Sequence, residues 1–188
     1  MTRLLHALAV ALLLAVGGVL LVPGTADAVG EAAPDFSLRD IDGNSVSLSQ
    51  FKGKVVLVSF WATWCQPCQV EMPHLQRFYD ELKGQGFVVL SISTDDARSA
   101  SQVKPLIKRN GYTFPVLLDK ETAVVSQYNP AKVLPYSVIL DRDHRIRAVH
   151  QGYSPGDEVQ LHAELLAAMG AVPVGGILQS REQGESVP

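Results

Sequence analysis

The sequence predicts an α/β domain in which a mixed β-sheet carries helices on both faces. Two nearly continuous apolar, β-branched runs, residues 54–60 (Lys-Val-Val-Leu-Val-Ser-Phe) and 87–93, have the pattern of strands covered on both sides. Helical stretches follow each of them, so strand and helix alternate through the middle of the chain. Short alternating segments near both ends add hairpins to that centre.

The elements follow in order. Residues 35–38 and 45–48 alternate apolar and polar around Asp42-Gly43, which reads as an N-terminal β-hairpin. The strand at 54–60 leads to a helix over 66–83, with Leu75, Phe78, Tyr79 and Leu82 on its apolar stripe. Pro73 should bend this helix, and Gly84 and Gly86 should end it. The strand at 87–93 runs into a loop holding Asp95 and Asp96. A helix over 101–110 stops at Gly111. A short strand at 114–118 and a short helix at 121–128 then form a central βα insertion. Residues 137–140 and 146–151 pair across a charged turn. A last amphipathic helix spans 155–169, with Val159, Leu161, Leu165, Leu166 and Met169 on its apolar side.

The two ends differ in character from this domain, which occupies residues 29–170. Residues 1–28 read as a secretory signal peptide: Arg3 supplies the positive start, 7–22 carry no charge, and Ala26-Asp27-Ala28 offers a cleavage site. Residues 4–22 are also just long enough to remain as an uncleaved membrane anchor. Residues 171–188 are rich in Gly, Pro and Ser and read as a flexible C-terminal tail. The net charge is −3, and the one basic cluster, Arg142, Arg145 and Arg147, is interleaved with Asp141 and Asp143. That is a solvated hairpin, and nucleic-acid binding is not expected.

Export would place the chain in an oxidising compartment, yet it has only two cysteines, Cys65 and Cys68. At the junction of strand and helix, the Cys65 sulfur would meet the unpaired first amides and the positive end of the helix dipole. Both favour a thiolate, the species that attacks disulfides, which makes Cys65 the nucleophile. Cys68 lies one turn on, placed to resolve the mixed disulfide. Pro67 suits a first helical turn, where its missing amide hydrogen has no partner to lose. Trp61 and Trp64 offer apolar surface beside the sulfurs, with Trp61 expected to contact substrate. A purely structural Cys65–Cys68 disulfide would stabilise the fold by only about 2 kcal/mol, against nearly 5 for a loop of about 100 residues. Tetrahedral zinc needs further ligands, and the histidines show no paired spacing, so no metal is expected.

The segment Phe60-Trp61-Ala62-Thr63-Trp64-Cys65-Gln66-Pro67-Cys68, followed by Glu71-Met72-Pro73, resembles the TlpA/ResA group of thioredoxin-like proteins. Gly53-Lys54 and Leu134-Pro135-Tyr136-Ser137-Val138-Ile139-Leu140-Asp141 fit the same group, and the likeness covers about residues 31–169. It implies a thioredoxin-like fold and a thiol–disulfide oxidoreductase needing no cofactor. It also implies a cis peptide bond before Pro135, facing the dithiol, and a Leu134 backbone that pairs with an extended substrate peptide. An acidic side chain is implied in the loop after the second central strand; ungapped counting favours Asp96 over Asp95. Glu71 matches a position of the group too, although a favourable charge in the first turns of a helix is the stronger reading.

The expected partners are cysteine-containing exported proteins and a membrane electron donor, for a monomer in the bacterial periplasm. Apocytochrome c, and hence cytochrome c biogenesis, is one such role. A disulfide oxidase or isomerase stays open as an alternative, and so does a binding module with a silent disulfide.

Overall fold

The computed structural model describes residues 29–170; the expected signal peptide or anchor and the expected tail lie outside them. Seven strands form one sheet: β1 (Ser37–Asp40), β2 (Ser45–Ser47), β3 (Val55–Trp61), β4 (Phe87–Ser93), β5 (Val116–Leu118), β6 (Tyr136–Leu140) and β7 (Ile146–Gln151). Their order is β2-β1-β5-β4-β3-β6-β7. The β3–β4 and β4–β5 pairs are parallel, and the others are antiparallel, so the sheet is mixed as expected. Among the described residues there are four α-helices, α1 (Gln66–Leu82), α2 (Val103–Asn110), α3 (Ala123–Tyr128) and α4 (Asp157–Ala168), and three short 3-10 turns.

The central strands explain why helices lie on both faces. All seven residues of β3 and of β4 are buried. Successive side chains of a strand point to opposite faces. Val55, Leu57 and Trp61 therefore pack with Leu75, Phe78 and Leu82 of α1, Leu106 of α2 and Leu161 of α4. Val56, Val58 and Phe60 enter a second core with Phe36, Leu48 and the α3 residues Val124, Val125 and Tyr128. A strand buried on both sides has no register freedom, because a one-residue slip would exchange the two cores. That rigidity fixes where the C-terminal end of β3 delivers the cysteine loop.

Boundaries moved where turn chemistry intervenes. Gly86 ends the turn after α1 and Gly111 caps α2, each with a positive φ (86° and 69°) that a side chain would resist. Pro73 cannot donate to the carbonyl of Gln69, yet α1 runs through it undivided. The expected βα insertion is β5 with α3, and β5 begins only at Val116, after Pro115. In α4, Leu161 and Leu165 are buried, but Val159 is 70% exposed. It lies two residues from Leu161, on the opposite side of the helix, so its place on the apolar stripe is corrected.

Candidate active site

The loop between β3 and α1 holds the reactive pair. Cys65 is the N-cap of α1, with extended backbone (φ −87°, ψ 103°), and Pro67 occupies the first turn. The amide of Cys68 donates to Cys65 Sγ at 3.3 Å, so the sulfur takes the place that a cap oxygen would fill. The two cysteines form a disulfide, S–S 1.98 Å with Cα atoms 5.3 Å apart. Cys65 is 6% exposed and Cys68 fully buried, so the outer sulfur is the one assigned as nucleophile.

The start of β6 lies next to the strand that carries the cysteine loop. The Leu134–Pro135 bond is cis. In the antiparallel β3–β6 ladder Phe60 pairs with Tyr136, and one further step sets Pro135 beside Trp61, where the cysteine loop departs. Leu134 packs against the core cluster that contains both cysteines. Among the described residues its backbone N–H and C=O take no backbone partner, whereas the carbonyl of Pro135 accepts from Gly152 at 2.8 Å.

The two tryptophans divide. Trp64 is 68% exposed and presents an apolar surface next to Cys65. Trp61 is 1% exposed and belongs to the core, so its expected contact with substrate is corrected. The cause is the pleat: Trp61 still belongs to β3 and points to the α1 face.

The carboxylates also require correction. Glu71 is not a solvated charge in the first turns of α1; it is 3% exposed. It follows Cys68 by three residues, which puts the two on one face of the helix. Ser137 Oγ of β6 donates to Glu71 Oε1 at 3.3 Å. Burial drives its pKa up to about 7, with the Ser137 hydrogen bond opposing and Asp157 adding to the rise. A cleft of about 180 Å³, lined by Glu71, His150, Tyr153, Asp157 and Gln160 among others, leads from it toward α4.

Asp96, expected beside the sulfurs, instead faces solvent. It accepts from Arg98 Nη2 at 2.9 Å and from the Ser99 amide at 3.1 Å, which hold its pKa down at about 2. A group that has lost its proton so completely cannot shuttle one near neutrality. Asp96 thus serves the turn before α2 and lines an open surface cleft with Trp64, Arg98 and Gln102. Its neighbour Asp95 is fully buried and reaches the cysteine loop, accepting from the Thr63 amide at 2.9 Å and the Thr63 hydroxyl at 2.6 Å. Sequence reasoning placed Thr63 and Ser137 in the motifs but gave neither a role. Among the described residues no group of three His, Cys, Asp or Glu side chains could hold a metal ion.

This arrangement, a strand-to-helix loop with a Cys-x-x-Cys disulfide and a cis-proline at the start of the neighbouring strand, has relatives. Residues 29–149 match the AhpC/TSA family. The chain belongs to the AhpC/TSA family. Within that family it is similar to the thiol-disulfide oxidoreductase ResA of Geobacillus kaustophilus, 34% identical over 140 residues, covering 74% of this chain and 79% of the relative. ResA of Halalkalibacterium halodurans is 33% identical over 137 residues, covering 73% and 76%. Among solved structures, a Chlorobium tepidum protein assigned as the thiol:disulfide interchange protein DsbE superposes with TM-score 0.70 at 30% identity, over 76% of this chain and 98% of that one. A thiol:disulfide interchange protein from Bacteroides sp. does so with TM-score 0.66 at 31% identity, over 80% and 95%. This AhpC/TSA member therefore has the thioredoxin-like fold and is a thiol–disulfide oxidoreductase of the ResA/DsbE type.

Proposed function

We propose that this oxidoreductase works as a reductant of disulfides in exported proteins, apocytochrome c among them, in the bacterial periplasm. Its N-terminal 28 residues would direct or anchor it there, and a membrane electron donor would return it to the dithiol form. One observation carries the direction of electron flow: the buried Glu71, one turn from Cys68 on the same helix face. A carboxylate beside a dithiol disfavours the thiolate. Strong oxidants stabilise their reduced thiolate form; a couple that does not do so is the more reducing.

Cys65 thiolate attacks one sulfur of the substrate disulfide, forming a mixed disulfide and expelling the first substrate thiolate. Glu71, with proton affinity near neutrality, accepts the proton of the Cys68 thiol. Cys68 then attacks Cys65 Sγ, closes the Cys65–Cys68 disulfide and expels the second substrate thiolate. Two electrons pass to the substrate; of its two thiolates one takes the proton held by Glu71 and the other takes a proton from solvent. The substrate peptide would lie extended along the free backbone of Leu134, with Trp64 against its side chains.

Equilibration with glutathione tests the direction. A potential near that of thioredoxin, about −270 mV, is expected, and one near about −120 mV would make the protein an oxidase instead. Trapping tests the roles of the sulfurs: Cys68→Ala should accumulate mixed disulfides through Cys65, and Cys65→Ala should trap none. Equal trapping by the two variants would refute the assignment.

A further inference from the structure

The parallel register of β3 and β4 pairs Ser59 with Ser91 and Trp61 with Ser93. Another step of two along the same ladder brings Thr63 beside Asp95, just beyond the last strand residues. There the buried Asp95 carboxylate collects three donors. Its Oδ2 accepts the Thr63 amide at 2.9 Å and the Ser93 hydroxyl at 2.8 Å, and its Oδ1 accepts the Thr63 hydroxyl at 2.6 Å. The rest of the loop is held equally closely. Gln69 Nε2 of α1 donates to the Thr63 carbonyl at 2.7 Å, and the Thr94 amide donates to the Trp61 carbonyl at 2.8 Å. Thr63 is thus gripped by its amide, its carbonyl and its side chain, and Cys65 lies two residues further on.

We infer that Asp95 is a positioning residue, clamping the cysteine loop to the end of β4 so that Cys65 Sγ stays at the N-terminus of α1. The clamp rests on the oxidoreductase reading but not on the direction of electron flow. Stabilisation of a thiolate by amides and a helix end falls off within the first turn, so a small drift of the loop removes it. The loop must also hold still while the sulfur passes between disulfide and thiolate. A buried carboxylate is suited to this because it accepts several hydrogen bonds at once.

Position and charge separate by substitution. In Asp95→Asn the amide oxygen can still accept from the Thr63 amide and the Ser93 hydroxyl, while its NH2 donates to a rotated Thr63 hydroxyl; the clamp survives without the charge. Asp95→Ala removes the clamp, and Thr63→Ala removes one of its three bonds. The readouts are the pH profile of Cys65 alkylation in the reduced full-length protein, the rate of insulin reduction and the thermal midpoint.

Asp95→Ala should raise the pH midpoint of alkylation and slow insulin reduction by roughly ten- to a hundredfold, the scale of loss from a misplaced reacting group. Thr63→Ala should move both in the same direction by less, and Asp95→Asn should stay close to the unsubstituted protein. An Asp95→Ala protein that melts earlier but alkylates with an unchanged profile would overturn the proposal, since the residue would then serve only the fold. Asp95→Asn matching Asp95→Ala would overturn it in favour of a charge effect. Should Asp95→Ala fail to fold, an unchanged profile in Thr63→Ala overturns it alone. If the unsubstituted protein does not accelerate insulin reduction, the oxidoreductase reading fails instead, and the alkylation profiles still decide the clamp.

Discussion

Glu71 and Asp96 are the two acids expected beside one dithiol, and the fold treats them in opposite ways. Glu71 lies under α1 with one hydroxyl partner and has a pKa of about 7. Asp96 lies in the loop after β4, solvated and paired with Arg98, with a pKa of about 2. An expected place beside the cysteines says nothing about proton affinity; desolvation against hydrogen bonding decides it. The buried acid can exchange a proton at neutral pH, and the exposed one remains an anion.

The largest effect is expected from Glu71→Gln. A carboxyl whose pKa rises from 4.5 unfolded to about 7 folded binds more protons in the native state between those values. Stability is therefore unaffected by it below pH 4.5 and falls as pH rises toward 7. Urea unfolding should find Glu71→Gln more stable than the unsubstituted protein by about 3 kcal/mol at pH 8, shrinking to nothing at pH 4. The same variant should reduce insulin more slowly and lack the rate inflection near pH 7. If the stability difference is the same at both pH values, Glu71 is not ionising as assigned.

A smaller change is expected from Ser137→Ala. The Ser137 hydroxyl lowers the proton affinity of Glu71, so its loss should move the rate inflection further upward by about one pH unit. Movement downward would mean that the hydroxyl serves the protonated form. Asp96→Asn should do least. Its pKa is lowered, so its contribution is present above pH 3.8 and lost as pH falls toward 2. Solvent screens such a pair, and insulin reduction between pH 6 and 8 should remain within about twofold of the unsubstituted protein. A loss as large as that of Glu71→Gln would erase the contrast between the two acids.

These differences mark what was legible in the sequence. β3 and β4 were readable because seven consecutive buried residues leave a nearly continuous apolar run, broken only by serines. The cysteine pair was readable from its spacing and from the absence of any other cysteine. Glu71 was misjudged because a charge early in a helix ordinarily faces water. Its position still carried a signal, since Cys68, Met72, Leu75, Phe78 and Leu82 form the buried stripe of α1 and Glu71 falls within it. Asp95 and Asp96 could not be separated by counting, because one residue of loop reverses a side chain. The alternation of β4 could have separated them: Ser91, Ser93 and Asp95 continue one face, and Asp96 starts the other. The cis bond at Pro135 was reachable only through resemblance, because composition and periodicity carry no trace of it.

The opposite exposures of the tryptophans have an optical consequence. The chain contains two, Trp61 sealed beside the sulfurs and Trp64 open to solvent. A soluble quencher therefore reaches the emission of one and spares the other. A substrate seated over Cys65 would shield Trp64, while breaking the disulfide would alter the surroundings of Trp61. One unlabelled sample thus provides separate fluorescence signals for docking and for electron transfer.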